Sequence, residues 1–379
     1  MKYKLIKKFK NSGLRNGELI WEDQKIKTPV FMPVGTVGAV KGISPHELKS
    51  LGYNLILGNT YHLHLRPGEK LIKKMRGLRK FINWSGKILT DSGGYQVFSL
   101  SNKNYVGSES LVKIKSDGVE FRSYLDGSKH FFTPEKVVQI QLDLGSDIIM
   151  PLDVCPSGTA SNKEIKKAVE ITIKWAKRSK EYFDKKIAKI SSLKRPVQNF
   201  LSQEKPALFA IVQGGLDKKL RQYCARELVK LNFNGYAVGG LAVDPETRGM
   251  WQVVEQMGKI LPENKPRYLM GVGTPEDLYR AINFGMDMFD CVLPTRTARH
   301  GSAYIYKDKG KYQTLDLRKS LHKSSTQILD PNCSCPACAG KFTRSYLHHL
   351  VKEKEMLGIR LLTLHNLAQY QRVVQETQK

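Results

Sequence analysis

Three aspartates stand at the ends of short apolar runs. Asp91 lies in "KILTDSGG" (87–94), Asp153 closes "DIIMPLD" (147–153) and Asp290 lies in "MDMFDCVLP" (286–294). Asn59 and Gln213 occupy like positions in "NLILGNT" (54–60) and "ALFAIVQGG" (207–215). Burying an unpaired charge is costly, so an acid at the end of a buried run either caps the next helix or works on a ligand. Capping accounts for one such residue more easily than for three acids and two amides. Glycines flank the same positions: Gly93-Gly94, Gly214-Gly215, Gly239-Gly240 and Gly271-x-Gly273. They let backbone amides approach a ligand closely. "GVGTPE" lacks the third glycine of a dinucleotide fingerprint. Past Asp290 the chain breaks at Pro294 into Arg296, Arg299 and His300, so one acid sits at the lip of a basic segment.

A second chemical signal is metal ligation. "CSCPAC" supplies Cys333, Cys335 and Cys338. Three thiolates so close together suit a four-coordinate Zn²⁺ with no open position, which is a structural site. His348, His349 and His365 are available as the fourth ligand. The other three cysteines, Cys155, Cys224 and Cys291, are scattered. That is a poor disulfide framework for a chain this long, and it points to a reducing compartment, the cytoplasm.

The elements that must position these residues read as alternating strands and helices. Eight runs of strand length, the five above together with 29–36, 236–242 and 267–273, are apolar without in/out alternation. Strands covered on both faces look like this, as in a parallel sheet. Between them lie helix signals: the capping box Ser44-x-x-Glu47, Thr133-Pro134-Glu135 and Thr274-Pro275-Glu276, and a long amphipathic helix over 162–187. The expected fold is α/β, a (β/α)₈ barrel whose chemistry occurs at the C-terminal strand ends; a doubly wound sheet competes. The barrel is expected over 1–295, with an inserted β-hairpin region at 97–132. Residues 296–379 carry the cysteines and terminal helices as a small zinc-binding subdomain packed on the barrel.

The chain has 379 residues and a formal net charge of +27, from 62 Lys+Arg against 35 Asp+Glu. That excess points to a polyanionic partner, nucleic acid first. No apolar run approaches the ~20 residues of a membrane span, and the basic N-terminus is followed by no apolar segment of a signal peptide.

With these residues in view, the chain resembles the bacterial tRNA-guanine transglycosylases, the queuine tRNA-ribosyltransferases. The resemblance covers almost the whole chain, through "GNTYHL" (58–63), "TDSGGYQVFSL" (90–100), "IVQGG" (211–215), "AVGGLAV" (237–243), "MGVGTPEDL" (270–278), "FDCVLPTRTARHG" (289–301) and "CSCPAC". It implies a homodimeric TIM-barrel enzyme that exchanges guanine at the wobble position of tRNA with a GUN anticodon for a 7-deazaguanine, preQ1 or queuine. By resemblance, Asp290 is the nucleophile and Asp91 the general acid/base. Asp153, Gln213, Gly240 and Leu241 read the base, with Ser92 and Gly93 beside them. Tyr95 and Met270 sandwich the purine, and Asn59 touches the ribose. Arg296 and Arg299 hold neighbouring RNA. One structural zinc per subunit falls to Cys333, Cys335, Cys338 and His365. The implied chemistry is that of a retaining glycosidase, with two carboxyls about 5–5.5 Å apart, on a nucleotide drawn out of its stack. The segment 303–323, with cations interleaved among Tyr304, Tyr306 and Tyr312, suits backbone contacts and stacking on single-stranded RNA.

The chain departs from the family pattern at two places near the expected 7-substituent. Val154-Cys155-Pro156 stands where Glu-Cys-Thr is usual, and Asp244-Pro245-Glu246 where Gly-Glu is usual. Val243 favours the smaller preQ1. The absence of a further RNA-binding domain argues against the archaeosine-forming branch. Two rival readings are a metal-dependent TIM-barrel hydrolase using His62-Leu63-His64, and a noncatalytic tRNA-binding partner subunit. The other strand ends offer no histidine partners to that pair, and both key acids are present, so neither rival is preferred.

Overall fold

The computed structural model describes residues 1–10, 12–101, 112–192, 205–242 and 249–379. Eight parallel strands close into a barrel: β1 (Val30–Gly35), β2 (Leu55–Gly58), β3 (Lys87–Thr90), β4 (Ile148–Ile149), β5 (Ala207–Val212), β6 (Gly235–Val238), β7 (Arg267–Leu269) and β8 (Met288–Cys291). They neighbour one another in chain order, and β8 pairs back onto β1 with Asp290 opposite Met32. Seven fall within the apolar runs, and β6 starts one residue before its run, at Gly235. The runs overshoot because glycine and polar loop residues extend them beyond the last strand pairing.

Alternation is present but masked in the sequence, because both faces are apolar. Val30, Met32, Leu55, Leu57, Leu89, Ile148, Ile211, Ala237, Tyr268 and Met288 share one buried cluster that fills the barrel. Phe31, Ile56, Ile88, Ile149, Leu208, Val238, Leu269 and Phe289 belong to the cluster shared with the helices. Side chains on a strand alternate faces. The residues two beyond Leu57, Leu89, Ile211, Tyr268 and Met288 are Asn59, Asp91, Gln213, Met270 and Asp290. The period of two therefore carries the polar set to the top of the same inward-facing column.

The opposite end is closed by an antiparallel sheet of Lys2–Lys8, Arg15–Ile20 and Lys25–Thr28. Leu19, Trp21 and Ile26 from this sheet and its turn join the inner cluster. Charges there are paired. Buried Arg15 holds Asp287 through both carboxylate oxygens, at 2.8 and 2.5 Å, and Asp287 also accepts the Arg267 amide at 2.7 Å. Buried Lys87 lies between Asp23 (2.6 Å) and Asp147 (3.4 Å).

The helix signals mark real termini. Ser44 and Glu47 form a reciprocal capping box, and Thr133 caps Pro134–Leu144. Thr274 caps Pro275–Asn283 in a box completed by Asp277. The long helix runs Asn162–Ser192. The expected insertion is partly corrected. Its first residues, 97–101, complete the helix Gly94–Ser101, and three antiparallel strands, Val112–Lys115, Gly118–Arg122 and Lys129–Phe132, follow.

After β8 come the helix Leu293–Arg299, a hairpin of Ser302–Tyr306 with Tyr312–Asp316, and the helices Pro336–Ala339, Arg344–Lys352 and Met356–Thr377. The last helix reaches the barrel. Tyr370 packs its ring on Phe31 at 4.8 Å and donates its hydroxyl to the Gly273 carbonyl at 2.7 Å. Among the described residues no helix is long and apolar enough to cross a membrane.

Candidate active site and metal centre

The polar layer at the mouth is tightly bonded. Asn59 caps the helix Thr60–Leu65 with its Oδ1, accepting from the His62 amide at 3.0 Å, and its Nδ2 donates to Asp91 Oδ2 at 2.6 Å. Asp91 Oδ1 accepts from the amides of Thr60 (2.8 Å) and Gly93 (3.2 Å). Gly93 has φ +74°, and a Cβ there would lie 3.1 Å from the Tyr61 amide, so this turn requires glycine. Ser92 Oγ donates to Asp153 Oδ1 at 2.8 Å, and Gln213 Nε2 to Asp153 Oδ2 at 2.8 Å.

Gln213 Oε1 is buried and, among the described residues, has no hydrogen-bond partner. A buried acceptor of this kind calls for a donor, and a ligand N–H can supply one. A Cβ on Gly240, which has φ +73°, would lie 2.5 Å from this oxygen. Only a bare backbone fits beside it.

Asp290 Oδ1 accepts the Tyr268 hydroxyl at 2.6 Å and the Gly271 amide at 2.8 Å. Tyr268 was hidden in a run read simply as strand. The signal was there: a tyrosine inside a buried strand needs a partner for its hydroxyl, and Tyr268 pairs with Met288 on the adjacent strand, two residues before the acid. Leu241 is buried, Met270 is half-buried against the inner cluster, and Tyr95 is exposed at the start of its helix. Arg296 and Arg299 project from the helix Leu293–Arg299, Arg299 bonding Thr295 Oγ1 at 3.2 Å.

Burial sets the protonation of this layer. Loss of solvation, helped by the nearby charges of Asp290 and Asp153 and opposed by the amides of Thr60 and Gly93, pushes the Asp91 carboxyl up to about 7. Asp153 and Asp290 are raised by burial as well. Tyr268 feels the charges of both Asp290 and Asp91. Asp91 and Asp290 therefore lie near enough for each charge to act on this layer. The folded chain holds the Asp91 proton more tightly than the unfolded chain, so this stabilisation is complete below about pH 4 and is lost as pH rises through about 7. The difference in melting temperature between wild type and Asp91→Ala should fall over that range, a trend thermal unfolding at stepped pH will check.

The histidine pair His62-Leu63-His64 is taken up by protein partners among the described residues. His62 Nδ1 meets the Tyr124 hydroxyl at 3.2 Å, whereas His64 sits between Glu69 (2.7 Å) and His130 (3.0 Å). Tyr304 and Tyr306 are buried, and their hydroxyls bond Thr297 and Glu376. That corrects the expectation that they stack on RNA. The two residues face the C-terminal helix, and the segment is an amphipathic hairpin. Val243 and Asp244-Pro245-Glu246 lie outside the described residues; Val154 and Pro156 line a cavity of about 810 Å³ beside the inserted sheet.

The metal ligands converge. The ligand atoms of Cys333, Cys335, Cys338 and His365 all lie within 4.8 Å of one another, and all four residues are buried. His365 turns Nδ1 to the Cys335 and Cys338 sulfurs at 3.5 and 3.4 Å and donates Nε2–H to the Tyr304 carbonyl at 2.7 Å. An outer hydrogen bond of this kind orients a ligating imidazole. His348 bonds the Leu317 carbonyl instead.

Fold and site together define a (β/α)₈ barrel with carboxylates in the inward layer at its mouth and a Cys₃His cluster that fits a metal ion. A family model described as queuine tRNA-ribosyltransferase matches residues 11–379. The chain is 50% identical over 367 residues to a queuine tRNA-ribosyltransferase of Caldanaerobacter subterraneus subsp. tengcongensis, covering 97% of this chain and 90% of that one. It is 49% identical, with the same coverage, to one of Thermoanaerobacter pseudethanolicus. To one of Vibrio cholerae it is 46% identical over 379 residues, 100% of this chain and 92% of that one. The chain belongs to the queuine tRNA-ribosyltransferase family, and it is a tRNA-guanine transglycosylase.

Proposed function

We propose that this enzyme replaces guanine at the wobble position of GUN-anticodon tRNA with preQ1 by two displacements at one ribose carbon. The observation that carries the reading is the pair Asp91 and Asp290, raised together in one inward layer. Tyr268 and Gly271 both bond Asp290 Oδ1, which leaves Oδ2 to attack C1′. As that C–O bond forms, the bond from C1′ to guanine N9 breaks and Asp91 donates its proton to the leaving purine. Asp91, now a carboxylate, takes a proton from the incoming 7-deazaguanine, whose N9 displaces Asp290. Configuration at C1′ is retained, as in double-displacement glycoside hydrolysis. A carboxyl poised at about 7 suits both halves of that exchange.

Asp153, Gln213 and the Gly240 and Leu241 backbone are suited to the purine edge, the partnerless Gln213 oxygen accepting from a base N–H. Asn59, already bonded to Asp91, would meet the ribose from beside that acid. Cys333, Cys335, Cys338 and His365 would hold one zinc per subunit, a structural ion given four protein ligands and no open position. The same reading includes a homodimer and a cytoplasmic setting. The choice of preQ1 over queuine rests on the family pattern at Val243.

Mass spectrometry of the anticodon nucleoside after incubating tRNA with preQ1 or with queuine tests the proposal. A mass shift with preQ1 is expected. A shift with queuine alone would overturn the choice of preQ1, and no shift with either base, alongside no uptake of labelled guanine, would overturn the whole reading.

A further inference from the structure

The inserted sheet ends in the turn "SYLDGS" (123–128), which leaves two apolar residues in solvent: Tyr124 is 51% exposed and Leu125 37%. Exposed rings on mobile turns are unremarkable, but this one is fixed. Its hydroxyl meets His62 Nδ1 at 3.2 Å. One face is backed by the buried Tyr61 ring, stacked at 6.2 Å and 20°, and His62 meets it edge-on at 5.8 Å. Tyr61 is in turn pressed against Phe121 at 5.3 Å.

The supporting residues tie the ring to the catalytic layer. Tyr61 follows Thr60, whose amide bonds Asp91, and it abuts Gly93. The open ring face thus stands at the barrel mouth, one side chain removed from the turn that holds Asp91. Cations lie alongside: the charge of Lys41 reaches His62, and Arg122 and Lys129 are exposed on the adjoining strands. The acids nearest in the turn and sheet are tied up, Asp126 with Ser128 and Glu120 with Lys115. A rigid, half-exposed ring among cations has the makings of a base-stacking surface for single-stranded nucleic acid.

We propose that Tyr124, braced by Tyr61 and His62, is a stacking platform for an unpaired anticodon-loop base next to the extruded nucleotide. The inference rests on the tRNA reading above. Holding the neighbouring base would stabilise the splayed loop that extrusion requires, and a ring already immobilised loses little freedom on binding.

The test is a binding cycle with an anticodon stem-loop RNA. Tyr124→Ala and Tyr124→Leu should each weaken binding roughly 10-fold or more, the worth of one base–aromatic stack, while Tyr124→Phe stays close to wild type. The slope of log K against log salt should not change, because no phosphate contact is removed. Placing an abasic site at each loop position in turn should reveal one flanking position whose loss is already absent in Tyr124→Leu. Leucine keeps apolar bulk at this turn, so a folding defect confined to the alanine variant leaves the test standing. Wild-type affinity in Tyr124→Leu, or additivity at every abasic position, overturns the platform. Failure of the wild-type enzyme to incorporate labelled guanine would instead remove the tRNA reading.

Discussion

Asp290→Ala should abolish base exchange, lowering the rate on the order of 10⁴-fold or more, while binding the anticodon stem-loop with near wild-type affinity. Wild-type enzyme quenched in denaturant with RNA should carry a protein–RNA adduct on gels, and the variant none. The reasoning is geometric. Asp290 is held by a hydroxyl and an amide on one oxygen, so its removal deletes the attacking atom and little of the surface that meets RNA. Asp91→Ala has a different signature. On the proposed mechanism it leaves the nucleophile in place but removes the proton carrier, worth about 10²–10⁴-fold, and the pH profile should lose its inflection near 7. An Asp290→Ala enzyme that still exchanges guanine would end the assignment.

The second large effect concerns the metal centre. Three thiolates and an imidazole within 4.8 Å of one another repel or compete for protons without a cation. In small domains such a site contributes about 10–16 kcal/mol of binding free energy to folding. Cys335→Ser, or prolonged chelation, should lower the melting temperature by well over 10 °C, and elemental analysis of the wild type should return close to one zinc per chain. The effect should spread to activity. His365 is followed by Asn366, which bonds the carbonyls of Pro294 and Ser302 at 3.0 and 3.1 Å. Loosening that helix therefore slackens the segment just after Asp290. A variant with unchanged melting temperature and no bound metal would refute a structural role.

Much of this was legible because the relevant signals are local. Asp91, Asp153 and Asp290 could be picked out as acids terminating buried runs, and the cysteine spacing announces a ligand set within six residues. The eight strands were found as apolar stretches, yet their alternation was not, since a barrel strand between core and helix is apolar on both faces. That concealed the inward column which lines up Asn59, Asp91, Gln213 and Asp290, and with it Tyr268. Burial of Tyr304 and Tyr306 depends on Met356–Thr377, an element more than forty residues away in the chain, so nearby cations suggested RNA stacking where packing prevails. The last residues of the helix Gly94–Ser101 fell inside the hairpin region, whose reading rested on the "SDG" and "LDGS" turns further along.

The packed interior has a consequence for traffic. With side chains filling the barrel and a sheet stoppering its far end, guanine cannot leave by a back door while its replacement enters at the front. On the proposed exchange, outgoing and incoming purines share the threshold that the described residues leave at the front, beside the very RNA being rewritten, and product guanine should therefore compete with the base meant to succeed it.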